Sequence, residues 1–179
     1  MPDQAFRKDI PEIDHTEIED TRAKNLDPHG PFLEKVMANS GIADPYDARD
    51  ITEVVYRVMR DLMPTETSDR VESELHEEIA HTKEKALNME IADLWHDTNP
   101  LVRFLSRLRP PLKGPGWQGI TSDLFFTRVA NEAGMAPHLD RDRVIRAIFS
   151  ATKDELSPER VEEIAGWLPD RVQQLWRDA

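Results

Sequence analysis

Cysteine is absent from the sequence, so disulfides, thiolate metal ligands and a cysteine nucleophile are all excluded. A reducing cytoplasm is the simplest address for such a chain. Long apolar runs are missing as well. No stretch approaches the roughly 20 apolar residues that a membrane-crossing helix needs, and the start, MPDQAFRKDIPEIDHTEIED, contains no apolar signal segment. A soluble protein without a membrane partner is expected. Glycine is sparse: its one cluster, Gly114, Gly116 and Gly119, lacks the flanking strand that a phosphate-cradling loop requires. Neither a nucleophile elbow nor a Ser-His-Asp arrangement is recognisable, so an enzymatic reading has no motif behind it.

Positive charge is in deficit, with 23 Lys and Arg against 35 Asp and Glu and a net charge of −12. Such a chain repels phosphate backbones, and no nucleic-acid partner is expected. The imbalance is uneven along the chain. Glu66 to Asp97 holds ten acids against Arg70, Lys83 and Lys85, whereas Thr98 to Ser122 holds Arg103, Arg107, Arg109 and Lys113 and no acid.

What is present is helical periodicity. Residues 1–30 form a polar, acidic arm in which Ile10, Ile13 and Ile18 are too sparse to bury much surface; the arm is either free or docked on the body. Phe32, Leu33, Val36 and Met37 recur at helical spacing until Gly41, a C-terminal cap, which predicts a first helix over Phe32 to Ser40. Asp47 or Tyr46 opens a second helix with Ile51, Val54, Val55, Val58 and Leu62 on one face, and Pro64 stops it. A third starts at Thr65, burying Val71, Leu75 and Ile79 and turning Glu72, Glu74, Glu77 and Glu78 outward. Further on, Leu87, Ile91, Leu94 and Trp95 predict one helical segment and Pro100 to Arg109 another, before PPLKGPGWQG breaks regular structure.

A shift of 93 positions lays this pattern, without a gap, on the C-terminal part. Phe32 meets Phe125, Gly41 meets Gly134, Tyr56 meets Phe149, Val71 meets Ile164, and Ile79 meets Val172. No window alternates with period two. The expected fold is all-α, with tandem duplicated three-to-four-helix modules packed into one body: arm 1–30, first module 31–82, connector 83–122 and second module 123–179.

FLEKVMANSG (Phe32 to Gly41) and FFTRVANEAG (Phe125 to Gly134), with AIFSATKDELSPERVEEI (Ala147 to Ile164) and WLPDRVQQLW (Trp167 to Trp176), resemble the family called domain of unknown function 2267 over about Pro31 to Trp176. The segment TNPLVRFLSRLRPPLKGPGW is similar to its cyanobacterial branch. The resemblance implies a helical fold and no established reaction, so it imports no catalytic residue. The first copy departs from the family pattern by carrying His76 where the second has Pro169, which implies a longer unbroken helix there.

Within ELHEEIAH, Glu78 and His81 stand at i and i+3, the spacing by which a helix presents a carboxylate and an imidazole to one metal. A di-iron site needs a second such motif and two more inward glutamates, and the second copy places Arg171 and Gln174 there. A solvated acidic helix face is the simpler reading. The acids at the helix starts, Asp44, Asp47, Asp50, Asp140 and Asp142, lack a calcium loop's pattern and read as caps. Arg103, Arg107, Arg109 and Lys113 beside Trp117 make a surface for an acidic protein segment or small anion, or pair internally with the acidic third helix. Trp95, Trp167 and Trp176 read as core anchors. The functional expectation is a binding module with a protein partner, a second copy included, and no cofactor. The alternative is a metal- or small-ligand-binding protein centred on Glu78 and His81.

Overall fold

Capping and apolar spacing place eight helices in the computed structural model, which describes residues 29–96 and 121–179. The arm to residue 28 lies outside the described residues, as does the segment 97–120 with Arg103, Arg107, Arg109, Lys113, Trp117 and the helix expected from Pro100 to Arg109. Helices α1 (Phe32–Ser40), α2 (Pro45–Arg60), α3 (Thr65–Glu72) and α4 (Ile91–Trp95) make the N-terminal half. The C-terminal half consists of α5 (Ser122–Glu132), α6 (Arg141–Asp154), α7 (Pro158–Ala165) and α8 (Asp170–Arg177). Among the described residues the only extended pairing is an isolated bridge between Glu78 and Glu90. The fold is all-α.

Local chemistry explains the boundaries. Gly41 ends α1 in the left-handed region, at φ 84°, and donates its N–H to the Met37 carbonyl at 3.1 Å. Asp44 caps α2 by accepting from the Tyr46 N–H at 2.7 Å. This helix therefore opens at Pro45, one residue before the earlier of the two expected starts, because proline needs no partner in a first turn. Asp140 caps α6 in the same way, accepting from the Arg143 N–H at 3.1 Å.

The apolar faces form one cluster running from Phe32 to Trp176. Each half supplies what the other lacks. Helix α1 packs more extensively on α6 than on its own neighbour α2, and α5 packs on α2. The ion pairs across this boundary are reciprocal. Lys35 of α1 meets Asp154 at 3.4 Å, and Arg128 of α5 meets Asp61 at 3.0 Å, each residue of one pair standing 93 positions from its counterpart in the other. Between α3 and α7, Arg70 bonds Glu163, which is its own counterpart at that interval. In the centre the Thr152 hydroxyl gives its proton to the Ile148 carbonyl at 2.7 Å, so Tyr56 donates to Thr152 at 2.8 Å. Both side chains are fully buried.

The 93-residue interval breaks after Leu75 and Leu168. The third helix of the N-terminal half does not run on through His76 as expected; it ends at Glu72, and α3 and α7 have the same length. Backbone groups beyond it are taken by other partners. The Leu75 carbonyl accepts from the Ala92 N–H, that of Glu77 from Ile91, and that of Ile79 from Leu33, each at 2.9 Å. Leu75 and Ile79 are buried as expected, but from irregular backbone. The loop then delivers Ile91, Leu94 and Trp95, which take the places of Val172, Leu175 and Trp176 at an interval of 81. Two geometries support that equivalence. The Trp95 ring stands edge-on to Tyr56 at 5.0 Å and the Trp176 ring edge-on to Phe149 at 5.1 Å. Their indole N–H groups donate to the carbonyls of Ser68 and Val161 respectively, both at 3.1 Å. Leu87 precedes α4 rather than belonging to it, and Trp167 is half-buried against the core.

The buried hydroxyl pair predicts unequal costs. Tyr56→Phe removes one hydrogen bond, a loss of about 0.5–1.5 kcal/mol, whereas Thr152→Val strands a buried phenol and costs about 1–3 kcal/mol. Urea unfolding should show that order, with the double variant less destabilised than the sum of the singles.

Candidate functional site

The 73–90 loop stands against the start of α1, tied to it by the bond from Leu33 N–H to the Ile79 carbonyl. The two enclose a cleft of about 520 Å³ whose third wall is the end of α6. Its lining consists of His29, Gly30, Pro31, Phe32, Glu34 and Lys35 from one side, Glu77, Glu78 and His81 from the loop, and Glu155, which caps the end of α6. Four carboxylates therefore face one ammonium group. Lys35 is already engaged, donating to Glu155 at 3.1 Å and lying 3.4 Å from Asp154. Burial opposes its charge, yet bonding to these two acids outweighs burial and holds the ammonium above its ordinary value. The exposed Glu77 and Glu78 are left to face solvent across the cleft.

Of the residues singled out in the sequence, Glu78 and His81 both line this cleft, but not as a helical pair. Residues 75–81 are irregular, and the Glu78 backbone is bridged to Glu90. The i,i+3 geometry assumed for them is therefore replaced by loop geometry. Among the described residues no three His, Asp or Glu side chains gather as a metal site would require. The structure adds His29, Glu34, Lys35, Glu77 and Glu155 to the site. Contributions from positions so far apart have no local spacing signal.

Glu74, from the same acidic stretch, serves another purpose. Its carboxylate accepts from the Ser157 N–H at 2.8 Å, the Ser157 hydroxyl at 3.1 Å and Arg160 Nε at 3.1 Å. Burial alone would raise it, but these bonds prevail and hold it below the ordinary carboxylate value. Arg160 also bonds Glu163, which accepts in addition from Arg70 and, at 3.0 Å, from the Thr67 hydroxyl. The Arg70 bond, opposed by burial and helped by Thr67 and Arg160, brings the Glu163 carboxyl down to about 2. These acids hold α3 to α7; the acids of the cleft do not.

A family model described as uncharacterized conserved protein (DUF2267) matches residues 29–175, which includes every described element of both halves except the last residues of α8. No curated protein matches the chain.

The depressed carboxylate gives a signed pH dependence. Stabilisation from Glu163 is fully present above its ordinary value of 4.5 and is lost as pH falls from there toward 2. Glu163→Gln should lower Tm at pH 7 by about 2–4 °C, for a loss on the order of 1 kcal/mol in a chain of this size. Thermal scans from pH 7 to pH 2 should show the gap from wild type closing below pH 4.5; a gap that stays constant contradicts the assignment.

Proposed function

Because the chain belongs to this family of uncharacterized conserved proteins, we propose from its own geometry that it is a protein-interaction module whose acidic cleft receives a basic segment of a partner. One observation carries this reading: the cleft presents Glu34, Glu77 and Glu78 while its one lysine is neutralised by Asp154 and Glu155. A field of one sign inside a concave wall raises the local concentration of opposite charge, and the net charge of −12 extends that attraction outward. Ordered loops placed on a rigid helical frame are also where recognition residues concentrate. The 73–90 loop, which the C-terminal half lacks, is such a feature: Ile79 and Leu87 anchor it in the core while Glu77 and Glu78 stay exposed.

The reading of the two halves as copies of one module is part of this proposal. Its support is the recurrence, at one interval, of Gly41 and Gly134 with positive φ, of the Phe32–Tyr56 and Phe125–Phe149 ring pairs, and of the reciprocal ion pairs. In that frame the loop is what differentiates the first copy. The cationic segment with Arg103, Arg107, Arg109, Lys113 and Trp117, which lies outside the described residues, is proposed from its sequence to bind an acidic partner segment.

The test is binding of a lysine- and arginine-rich peptide, followed by titration calorimetry at two salt concentrations. Glu77→Lys with Glu78→Lys should weaken binding about tenfold or more, since two close charges are reversed. Asp47→Lys with Asp50→Lys, an equal change of net charge away from the cleft, should weaken it no more than about threefold. Equal losses in the two variants would mean that net charge alone attracts the peptide and the cleft does not receive it.

A further inference from the structure

We propose that residues 81–86, the outer part of the 73–90 loop, are a strap that opens and closes as a unit beside the cleft, latched by Tyr46 and Arg49 at the start of α2. The loop has two parts with different ties. Its base is zipped: Ile79 N–H donates to the Met89 carbonyl at 3.0 Å, Ile91 N–H to Glu77 and Ala92 N–H to Leu75, both at 2.9 Å, and Glu78 is bridged to Glu90. Leu75, Ile79 and Leu87 anchor this base in the core. Between Ile79 and Leu87 the chain runs near solvent: Thr82 is half-buried, and His81, Lys83, Glu84, Lys85 and Ala86 are exposed. Its own amide bonds are short-range, from Thr82 to the Ala80 carbonyl at 3.0 Å, from Glu84 to the Thr82 hydroxyl at 3.1 Å and from Leu87 to the Glu84 carbonyl at 3.0 Å.

Among the described residues, two hydrogen bonds join the strap to another element. The Tyr46 hydroxyl donates to the Glu84 carboxylate, and Arg49 Nη1 donates to the Ala86 carbonyl at 3.2 Å. The same guanidinium lies 5.5 Å from the centre of the Tyr46 ring, so one latch group steadies the other. The latch also accounts for the placement of Tyr46, which is 39% exposed and, with Leu124, one of two large apolar side chains so placed among the described residues. Bonding to Glu84 is the largest of the influences that hold its phenol above the ordinary value of 10.0.

Segments with exposed hydrogen bonds and little buried apolar surface open at lower free energy than segments anchored in a core. Freeing the strap breaks two exposed bonds, whereas freeing the base also withdraws Ile79 and Leu87 from the core. His81 lines the cleft from the strap, and Glu77 and Glu78 line it from the base. Opening therefore moves one residue of the cleft wall and leaves the loop carboxylates in place. The inference stands on these ties and not on what the cleft binds.

Tyr46→Phe tests it, because the variant keeps the ring beside Arg49 and deletes only the hydroxyl. Amide hydrogen exchange of the full-length chain is followed by NMR in the variant and in wild type. The amides of Thr82, Glu84 and Leu87 should exchange together about fivefold or more faster in the variant, since one charge-assisted bond of the latch is gone. Those of Ile79, Ile91 and Ala92 should keep their wild-type rates. Unchanged rates in the strap, an equal rise in strap and base, or strap amides already unprotected in wild type would each overturn the proposal.

Discussion

The first helix of each half packs more heavily on the other half than on its own, and that shared dependence is the constraint on which the remaining structure rests. A unit of about 60 residues buries too small a fraction of its surface to be comfortably stable alone. Here the shortfall is met by trading: α1 lies along α6, α5 lies along α2, and one apolar cluster runs through both. The polar contact at its centre, Tyr56 to Thr152, joins one half to the other. A buried hydroxyl pair contributes little net energy, but leaving either partner unbonded is costly, so it also disfavours any displaced seating of the two helices.

Electrostatics refine this arrangement rather than create it. Pairs such as Lys35 with Asp154 and Arg128 with Asp61 are partly exposed and contribute modestly, yet their reciprocity fixes how the halves are oriented. The more demanding polar network lies between α3 and α7, where Arg160 is largely withdrawn from solvent and Glu74 and Glu163 share it. With those acids committed to the boundary, and with Glu84 accepting from the Tyr46 hydroxyl and Glu90 capping α4, Glu77 and Glu78 are left exposed on the 73–90 loop. A division of labour within one short acidic stretch follows: Glu74 holds the fold, while Glu77 and Glu78 face outward.

Much of the helical frame was legible in the sequence. The stripe from Ile51 to Leu62, the glycine after α1 and the aspartate before α6 carry their physics in local spacing, and each lies where that spacing placed it. Where reading failed, the controlling contacts were distant. His76 offers no stop signal comparable to Pro169, so nothing nearby announces that α3 ends at Glu72; what ends it are bonds to Leu33, Ile91 and Ala92. Glu78 and His81 line the cleft, but from irregular backbone rather than from the helix expected for them. The cleft was illegible because its walls come from the start of α1, the loop and Glu155, which no periodicity connects.

If the halves are stable only through each other, they must open together. Native-state hydrogen exchange measured against urea tests this most directly, because it reports an opening free energy and its denaturant dependence for each amide. The slowest amides of α2, around Val55 to Met59, and of α6, around Ile148 to Thr152, should converge on one opening free energy and one urea dependence equal to those of global unfolding. A C-terminal or N-terminal half that opens separately, at lower free energy and with a smaller urea dependence than the other, would contradict mutual dependence.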